Sequence, residues 1–300
     1  MKIFRRLSTT ALTGIVLFAS LLAPAGSAVA AEPSVRVKIE GKVRKISLER
    51  YVLGVVYYEM IPTWPLEALK AQAVASRTYA MRRMREARRA GRAWDVTDDV
   101  GHQVYDEPAA QSSGVREAVR ATRAEGVCDD EGPIEAVFFS TCGGKTEDSD
   151  VLWGRTVPYL RHVQCNWCAE SPNYFWIYEI SEREFLKALF RVGVRGKALD
   201  GVAISGRTRS GRMVKVAVDT DRGLFELDGK DLRSAIGETR LKSLALEIDW
   251  EAGVVKFLGS GAGHAVGMCQ WGARGQALEG RTHREILSSY YLGTKSCKLY

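Results

Sequence analysis

The hydrophobic pattern at the start of the chain predicts a β-hairpin followed by two helices. Residues 35–46 alternate apolar and polar side chains, which is typical of a hairpin, with its turn near Gly41. Residues 48–58 repeat apolar positions with helical spacing. A second helix is predicted to begin at Pro65, because proline suits the first turn of a helix, and to end near Gly91.

Farther along the chain the pattern changes to short runs with β character. These runs are residues 134–140, 173–180, 202–204, 213–218, 224–227 and 244–248. The sequence therefore predicts an α+β fold, in which a helical segment packs on a β-rich core. That core is assigned to residues 31–171 and 250–300. Residues 172–249 are predicted to form an inserted, smaller β-rich lobe, because they lack the catalytic-looking motifs described below.

The first thirty residues have the features of a secretory signal peptide. Lys2, Arg5 and Arg6 form a basic start, and residues 11–22 are apolar but short for a membrane span. The small residues at 28–30 form a cleavage site, so residues 1–30 are predicted to be removed on export to the periplasm or cell-envelope space. An uncleaved membrane anchor is the alternative. Since no other long apolar run occurs, the mature chain is not expected to be an integral membrane protein.

The net charge and the motifs that the sequence lacks indicate which classes of binding partner and enzyme are disfavoured. The full-length chain has a formal net charge of +7, and removal of the signal would leave about +4, a mild excess that suits an anionic envelope surface. No helix-turn-helix, zinc-finger or RNP pattern indicates nucleic-acid binding. No Gly-x-Ser-x-Gly elbow and no Gly-rich phosphate loop occurs either, which disfavours a serine hydrolase and a nucleotide enzyme.

One carboxylate stands where the first predicted helix stops. Glu59 lies among aromatic and apolar neighbours in the sequence, which are Tyr57, Tyr58, Met60 and Trp64. Burial among such side chains raises the pKa of a carboxyl group, so that it can hold a proton near neutral pH. The alternative is a structural ion pair with an arginine such as Arg77. That pair would lower the pKa of Glu59 and oppose a role as an acid.

Three motifs together carry a resemblance to a known family. The first contains Gly-Val-Val-Tyr-Tyr-Glu-Met at residues 54–60, then Trp64-Pro65 and residues 67–80. The second is Ser-Thr-Cys-Gly-Gly-Lys-Thr-Glu at residues 140–147, and the third is residues 263–273. In this order, over about residues 35–293, the sequence resembles the SpoIID/LytB family, which is named for the stage II sporulation protein D.

The resemblance implies a peptidoglycan lytic transglycosylase with Glu59 as its catalytic residue. Such an enzyme cleaves the bond between N-acetylmuramic acid and N-acetylglucosamine and leaves a 1,6-anhydro end. A single acid suffices for this reaction, whereas a hydrolase normally needs a second carboxylate. Glu67, the other acid of the first motif, falls in the first turn of a helix, where its charge compensates the helix dipole.

The three motifs also supply candidate residues for binding the glycan. These candidates are Tyr58, Lys70, Gln72, Arg77, Ser140, Gly144, His264 and Gln270. Arg77 has a structural carboxylate as its alternative partner. His264 has an ordinary structural role as its alternative. Gly144 permits close approach of the backbone to a ligand.

The six cysteines allow two interpretations, a structural zinc site or disulfides. Cys142, Cys165, Cys168 and Cys269 are placed for a structural zinc, because Cys165 and Cys168 have the spacing of a metal-binding hairpin. The resemblance implies zinc beside the catalytic Glu, although an all-cysteine set departs from the Cys/His site expected of sporulation members. Disulfides are the alternative, since an exported chain with an even cysteine count normally forms them. A redox-active Cys-x-x-Cys lacks its usual strand–helix context. Cys128 and Cys297 remain to pair with each other.

A non-enzymatic role is the competing prediction. The LytB branch of the family implies a module that binds the wall and enhances an N-acetylmuramoyl-L-alanine amidase. The partners expected are therefore peptidoglycan glycan strands and a cell-wall amidase. Because Glu59 lies in an intact family motif, the enzyme is favoured over the wall-binding module. Such an enzyme would act in general wall remodelling or in sporulation.

Overall fold

A computed structural model describes Met1 and residues 31–99, 101–106 and 112–300. The signal peptide predicted for residues 1–30 therefore lies outside the described residues, apart from Met1. Residues 1–31 and residues 32–300 form two separate units, and the helices, strands and cavities of the described chain belong to the second. No helix in the described ranges is long and apolar enough to cross a membrane.

Eight α-helices lie in the described part of the chain. They are α1 (Leu48–Glu59), α2 (Leu66–Arg89), α3 (Ser113–Ala121), α4 (Ser149–Trp153), α5 (Glu182–Leu189), α6 (Gly229–Ile236), α7 (Gln270–Leu278) and α8 (His283–Tyr290). The first two are the helices that the apolar spacing predicts. Helix α8 begins with a capping box between Thr282 and Glu285, which satisfies two backbone donors at its start.

Fourteen strands accompany these helices in the described residues. They are β1 (Ser34–Ile39), β2 (Lys42–Ser47), β3 (Val96–Thr97), β4 (Glu125–Asp129), β5 (Gly132–Pro133), β6 (Phe138–Phe139), β7 (Phe175–Ser181), β8 (Leu199–Arg207), β9 (Met213–Thr220), β10 (Gly223–Asp228), β11 (Leu246–Glu251), β12 (Val254–Ser260), β13 (Met268–Cys269) and β14 (Lys295–Lys298). Helices and small sheets in these proportions confirm the predicted α+β class.

The strands form five small sheets. Their orders are β2-β1-β3, β14-β4-β5, β13-β6, β10-β9-β8 and β11-β12-β7. The apolar run 134–140 contributes only the two-residue strand β6, although the pattern predicts a longer one. Near the start of the run the backbone N–H of Glu135 donates to the Tyr159 hydroxyl at 2.9 Å and not to a neighbouring strand.

Helix α2 is the centre of the fold, because it is buried on both sides. Leu69, Ala73 and Ala80 belong to an amino-terminal core with β1, α1 and α3. On its other side Ala71 and Val74 belong to a central core. Small side chains on both faces allow neighbouring elements to approach closely, and α2 also packs against β4, α7 and α8.

A third core lies entirely between Trp176 and Phe257. Most of this span is the region assigned to the smaller lobe, residues 172–249. Strand β12 pairs with β7 on one side and β11 on the other. The strands β8, β9 and β10 form the second sheet of this region.

A buried ion pair joins α1 to α2. The Arg77 guanidinium donates to both carboxylate oxygens of Glu49 at 2.8 Å, and to the carbonyl oxygen of Glu125 at 3.0 Å. The Arg77 side chain is fully buried, while that of Glu49 is 12% exposed. Of the two roles predicted for Arg77, glycan binding and pairing with a structural carboxylate, the structure therefore shows the second.

We expect Arg77→Ala to destabilise the protein by about 3 kcal/mol or more, because it leaves the carboxylate of Glu49 buried without its cation. The matched control is Arg89→Ala, an exposed arginine on the same helix, which should change stability by less than about 0.5 kcal/mol. Urea unfolding monitored by circular dichroism measures both. Equal stability of the two variants would contradict the structural role of the Arg77 pair.

Candidate active site

The end of helix α1 places Glu59. Glu59 is the last helical residue, and the following residue, Met60, already has extended backbone. The Met60 N–H still donates to the carbonyl oxygen of Val56 at 3.1 Å, which fixes the direction in which the chain leaves the helix. The Glu59 side chain lines a cavity of about 500 Å³.

The Glu59 carboxylate is partly buried and has two hydrogen-bond donors. The backbone N–H of Val104 donates to Oε1 at 3.1 Å, and Nε2 of Gln270 lies 3.4 Å from Oε2. Burial raises the pKa of Glu59, and the hydrogen bonds from Val104 and Gln270 oppose that rise only in part. The direction agrees with the one expected from its apolar neighbours in the sequence.

Three residues of the second and third motifs line the same cavity as Glu59. They are Ser140, Gly263 and His264. Nε2 of His264 lies 3.0 Å from the carbonyl oxygen of Phe138, and Nδ1 accepts from the Val266 N–H at 3.2 Å. Burial lowers the pKa of His264 to about 4, so near neutral pH the ring is neutral and carries its proton on Nε2. His264 therefore fastens its loop to β6.

One wall of the cavity consists of Tyr79, Arg83 and Glu135. Tyr79 lies in the first motif and was a candidate for holding the glycan or orienting Glu59, whereas Arg83 and Glu135 were not predicted from the sequence. The Arg83 guanidinium lies 4.7 Å from the centre of the Tyr79 ring and forms an ion pair with Glu135. Glu135 is also bound by Arg155 at 2.7 Å. The four-residue spacing from Tyr79 to Arg83 indicates a shared helix face, but nothing local in the sequence connects either residue to Glu135.

Two predicted binding residues lie on α2 with protein partners. Arg77 forms the buried pair with Glu49 described above. Nζ of Lys70 lies 2.6 Å from Oε1 of Glu67. Neither residue lines the cavity that holds Glu59, as far as the described residues define it.

Three further candidates are not among the described residues that line the cavity. Tyr58 is exposed, and its hydroxyl donates to Asp106 at 3.1 Å. Gly144 lies in the loop after β6, where its carbonyl oxygen accepts from the Cys165 N–H at 2.9 Å. Gln72 is fully buried on α2 and donates to Ser76 at 3.1 Å. The fourth, Gln270, contacts Glu59 directly.

Glu67 has a role distinct from that of Glu59. Besides Lys70 it accepts from the backbone N–H of His283 at 2.7 Å and lies 2.9 Å from Nδ1 of the same ring. Although burial opposes the change, the hydrogen bonds from Lys70 and His283 lower the pKa of Glu67 to about 2. Glu67 is thus a charged residue that joins α2 to α8.

Four buried thiols meet beside this site. They belong to Cys142, Cys165, Cys168 and Cys269. Their sulfur atoms all lie within 4.8 Å of one another, and this set is called the thiol cluster below. The remaining two cysteines, Cys128 and Cys297, form a disulfide that joins β4 to β14, which confirms their expected pairing.

The loop that delivers Cys142 depends on Gly143. The φ angle of Gly143 is +69°, and a Cβ atom there would lie 2.7 Å from the Ser260 hydroxyl and 2.9 Å from the backbone of Gly261. Only glycine fits such a position without strain. The turn brings the Cys142 N–H to 3.3 Å from the sulfur of Cys269.

Arg212, within the span that was assigned to a smaller lobe, contacts the loop that carries Cys142. This arginine is buried, and one guanidinium nitrogen donates to the carbonyl oxygens of Cys142 at 2.8 Å and Lys145 at 2.6 Å. The other terminal nitrogen donates to Thr146 at 3.3 Å and lies 3.8 Å from Glu147. No motif predicted this contact, which joins residues about 70 positions apart.

Comparisons with known proteins agree with the motifs. The family described as stage II sporulation protein matches residues 38–128, and a domain of unknown function matches residues 154–267. An uncharacterized protein of Brachyspira hyodysenteriae is 35% identical, over 84% of this chain and 67% of its own length. Stage II sporulation protein D of Bacillus subtilis is also 35% identical, over 84% of this chain and 75% of its own. The amidase enhancer of Bacillus subtilis is 28% identical, over 80% of this chain and 39% of its own.

We expect Glu67 to stabilise the fold in a pH-dependent manner. Its folded pKa of about 2 lies below its ordinary value of 4.5, so its contribution is fully present above about pH 4.5 and is lost as the pH falls towards 2. Glu67→Gln should therefore reduce the free energy of unfolding near neutral pH, and its deficit relative to the wild type should shrink with acidification. Chemical unfolding at several pH values measures this.

Glu117→Gln, which changes an exposed glutamate on α3, is the control for the Glu67 measurement. Its unfolding curve should follow that of the wild type throughout. A deficit of Glu67→Gln that stays constant between neutral and acidic pH would contradict the assignment.

Proposed function

The chain belongs to the stage II sporulation protein D family, and we propose that it is a lytic transglycosylase that cleaves the glycan strands of peptidoglycan. The names of its relatives, stage II sporulation protein D and amidase enhancer, support a cell-wall-related function. The observation that carries the finer proposal is the setting of Glu59. It is a partly buried acid of raised pKa at the edge of an open cavity, in the motif that matches the family.

Glu59 acts first as an acid and then as a base. Its carboxyl proton passes to the oxygen that leaves C1 of N-acetylmuramic acid as the glycosidic bond breaks. The carboxylate then takes the proton of the C6 hydroxyl, whose oxygen bonds to C1 and closes the 1,6-anhydro ring. Val104 and Gln270 donate to the carboxylate in the charged stage. Glu59 is thereby protonated again. Because the C6 oxygen, and not water, bonds to C1, no water is consumed.

A second carboxylate in the cavity does not serve as a nucleophile in this proposal. Glu135 is bound by the guanidinium groups of Arg83 and Arg155, which occupy its oxygens. Among the described residues that line the cavity, Glu59 is the carboxylate without such a cation. This arrangement favours a one-acid reaction over hydrolysis by two carboxylates.

Sugar binding is assigned to the open side of the same cavity. Ser140, which is half-buried, offers a hydroxyl there. Tyr58 is exposed directly before Glu59 in the sequence and extends the surface available to a long strand. Export to the cell envelope through residues 1–30 completes the proposal, because the substrate lies outside the cytoplasm.

We further propose that the thiol cluster binds a structural zinc ion. Four tetrahedral ligands at about 2.3 Å from zinc lie about 3.8 Å apart, and the Cys142 and Cys168 sulfurs are 3.4 Å apart with all four within 4.8 Å. Backbone N–H groups of Cys142 and Gly272 also donate to the Cys269 sulfur, as suits a thiolate. Four protein ligands leave no open position, so bound zinc would shape the site without activating water.

A second candidate function is a wall-binding module that enhances an amidase. The relative named amidase enhancer supports it, as do apolar side chains exposed on one sheet. Phe175 is 76% exposed, Ile177 63% and Leu258 41%, and they adjoin on the sheet β11-β12-β7. An increase in the rate of a purified cell-wall amidase, without glycan cleavage by this protein, would favour this function.

We expect Glu59→Gln to abolish glycan cleavage while the protein stays folded, because the amide can neither give nor take the proton. Purified glycan strands analysed by mass spectrometry provide the test, with 1,6-anhydro ends as the expected product of the wild type. Glu117→Gln, in an exposed position on α3, is the control and should retain full activity. Equal anhydro product from Glu59→Gln would exclude Glu59. Reducing ends from the wild type would indicate a hydrolase.

We expect one equivalent of zinc per chain and four thiols that react only after the metal is removed. Elemental analysis and thiol counting before and after chelation measure both. The Cys128→Ser/Cys297→Ser double variant is the control and should keep the full equivalent, since those residues form the disulfide. Chelation should also lower the melting temperature, because bound metal stabilises the fold. Absence of zinc with all six cysteines oxidised would establish disulfides instead.

A further inference from the structure

A line of buried amide groups ends at Glu59. Gln72 and Ser76 on α2 are fully buried, and Gln270 at the start of α7 is 6% exposed. Gln72 donates to Ser76 at 3.1 Å, and Gln270 lies 3.5 Å from the side-chain oxygen of Gln72. The far end of the line is the catalytic acid, which Gln270 contacts at two atoms.

The neighbours of Gln270 determine the orientation of its amide. Its nitrogen faces three acceptors, the carbonyl oxygen of Glu59 at 3.1 Å, the Glu59 carboxylate at 3.4 Å and the oxygen of Gln72 at 3.5 Å. A reversed amide would place an oxygen against all three, so the NH₂ group must point to Glu59. Gln270 thus holds both the backbone and the side chain of the acid.

The backbone of Gln270 is itself fixed. The preceding residue, Cys269, caps helix α7, and its sulfur accepts from the Gly272 N–H at 3.3 Å. The following residue, Trp271, donates its N–H to the carbonyl oxygen of Ser140 at 3.1 Å. Two attachments therefore flank Gln270, whose side chain bridges α7 to the end of α1.

We propose that Gln270 is a positioning residue, which holds the Glu59 carboxylate in its reactive orientation with Gln72 and Ser76 as support. Gln270 does not line the cavity that holds Glu59 among the described residues, so it acts through Glu59 and does not bind the sugar itself. This inference rests on the proposed transglycosylase reaction for its catalytic meaning. The orientation of Glu59 by Gln270 can be tested without that reaction.

The kinetic test compares Gln270→Met with Gln276→Met. Methionine conserves volume while removing the amide, and Gln276 is a fully buried glutamine on the same helix whose partners are Ser289 and Arg281. On purified glycan strands Gln270→Met should lower kcat about 10- to 100-fold, as loss of one hydrogen bond to a charged group predicts. Its KM should stay unchanged, and Gln276→Met should keep the wild-type kcat.

The second readout is the titration of the Glu59 carboxyl carbon by ¹³C NMR. Loss of a donor to the charged form should raise the pKa of Glu59 in Gln270→Met and leave it unchanged in Gln276→Met. The alkaline limb of the kcat profile should move to higher pH with it. Gln72→Met removes the residue that supports Gln270 but keeps the amide that donates to Glu59, so it should raise the pKa of Glu59 by a smaller amount. This variant replaces Gln270→Met if Gln270→Met does not fold.

Several outcomes would overturn the proposal. Identical Glu59 titration in the wild type and in the folded variants excludes positioning by Gln270, whatever the activity. A raised KM with unchanged kcat identifies Gln270 as a sugar contact instead. If the wild type cleaves no glycan, the proposed function fails, while the titration still decides whether Gln270 holds Glu59.

Discussion

Four buried sulfur atoms from three distant parts of the chain must lie within 4.8 Å of one another, and much of the site depends on this constraint. Cys142 follows β6, Cys165 and Cys168 lie in the loop before β7, and Cys269 ends β13 and caps α7. The parallel pairing of β6 with β13 brings the first and the last of these segments together. It also fixes where α7 starts, and therefore where the next residue, Gln270, meets Glu59.

Helix α2 supplies the other half of the framework. Because small residues cover both of its sides, it packs against two cores at once. It carries Arg77 against Glu49, Glu67 against α8, and the Tyr79–Arg83 wall of the cavity. Arg77, Glu67 and Arg83 each pair with a residue outside α2, as buried charge requires. The acid at the end of α1 contacts α7 through Gln270, and Gln270 in turn contacts Gln72 on α2.

The environment of Glu59 combines two opposed effects. Burial favours the protonated acid, whereas Val104 and Gln270 favour the carboxylate. A residue that must give a proton and then take one back needs both states within reach, and this combination provides them. Arg212, within residues 172–249, binds the backbone of the loop that carries Cys142.

The sequence by itself determined the α+β class, the two successive helices, the position of Glu59 at a helix end and the family. These follow from patterns and motifs within short stretches of chain, where periodicity and caps decide the structure. The sequence did not decide whether Arg77 would pair with Glu49 or with Glu59. It also did not indicate that Glu135 would pair with Arg83, 52 residues away, or that Gln270 would contact Glu59, 211 positions before it. Such pairs form only when distant segments pack together, and packing depends on the whole core, so the tertiary structure alone decided them.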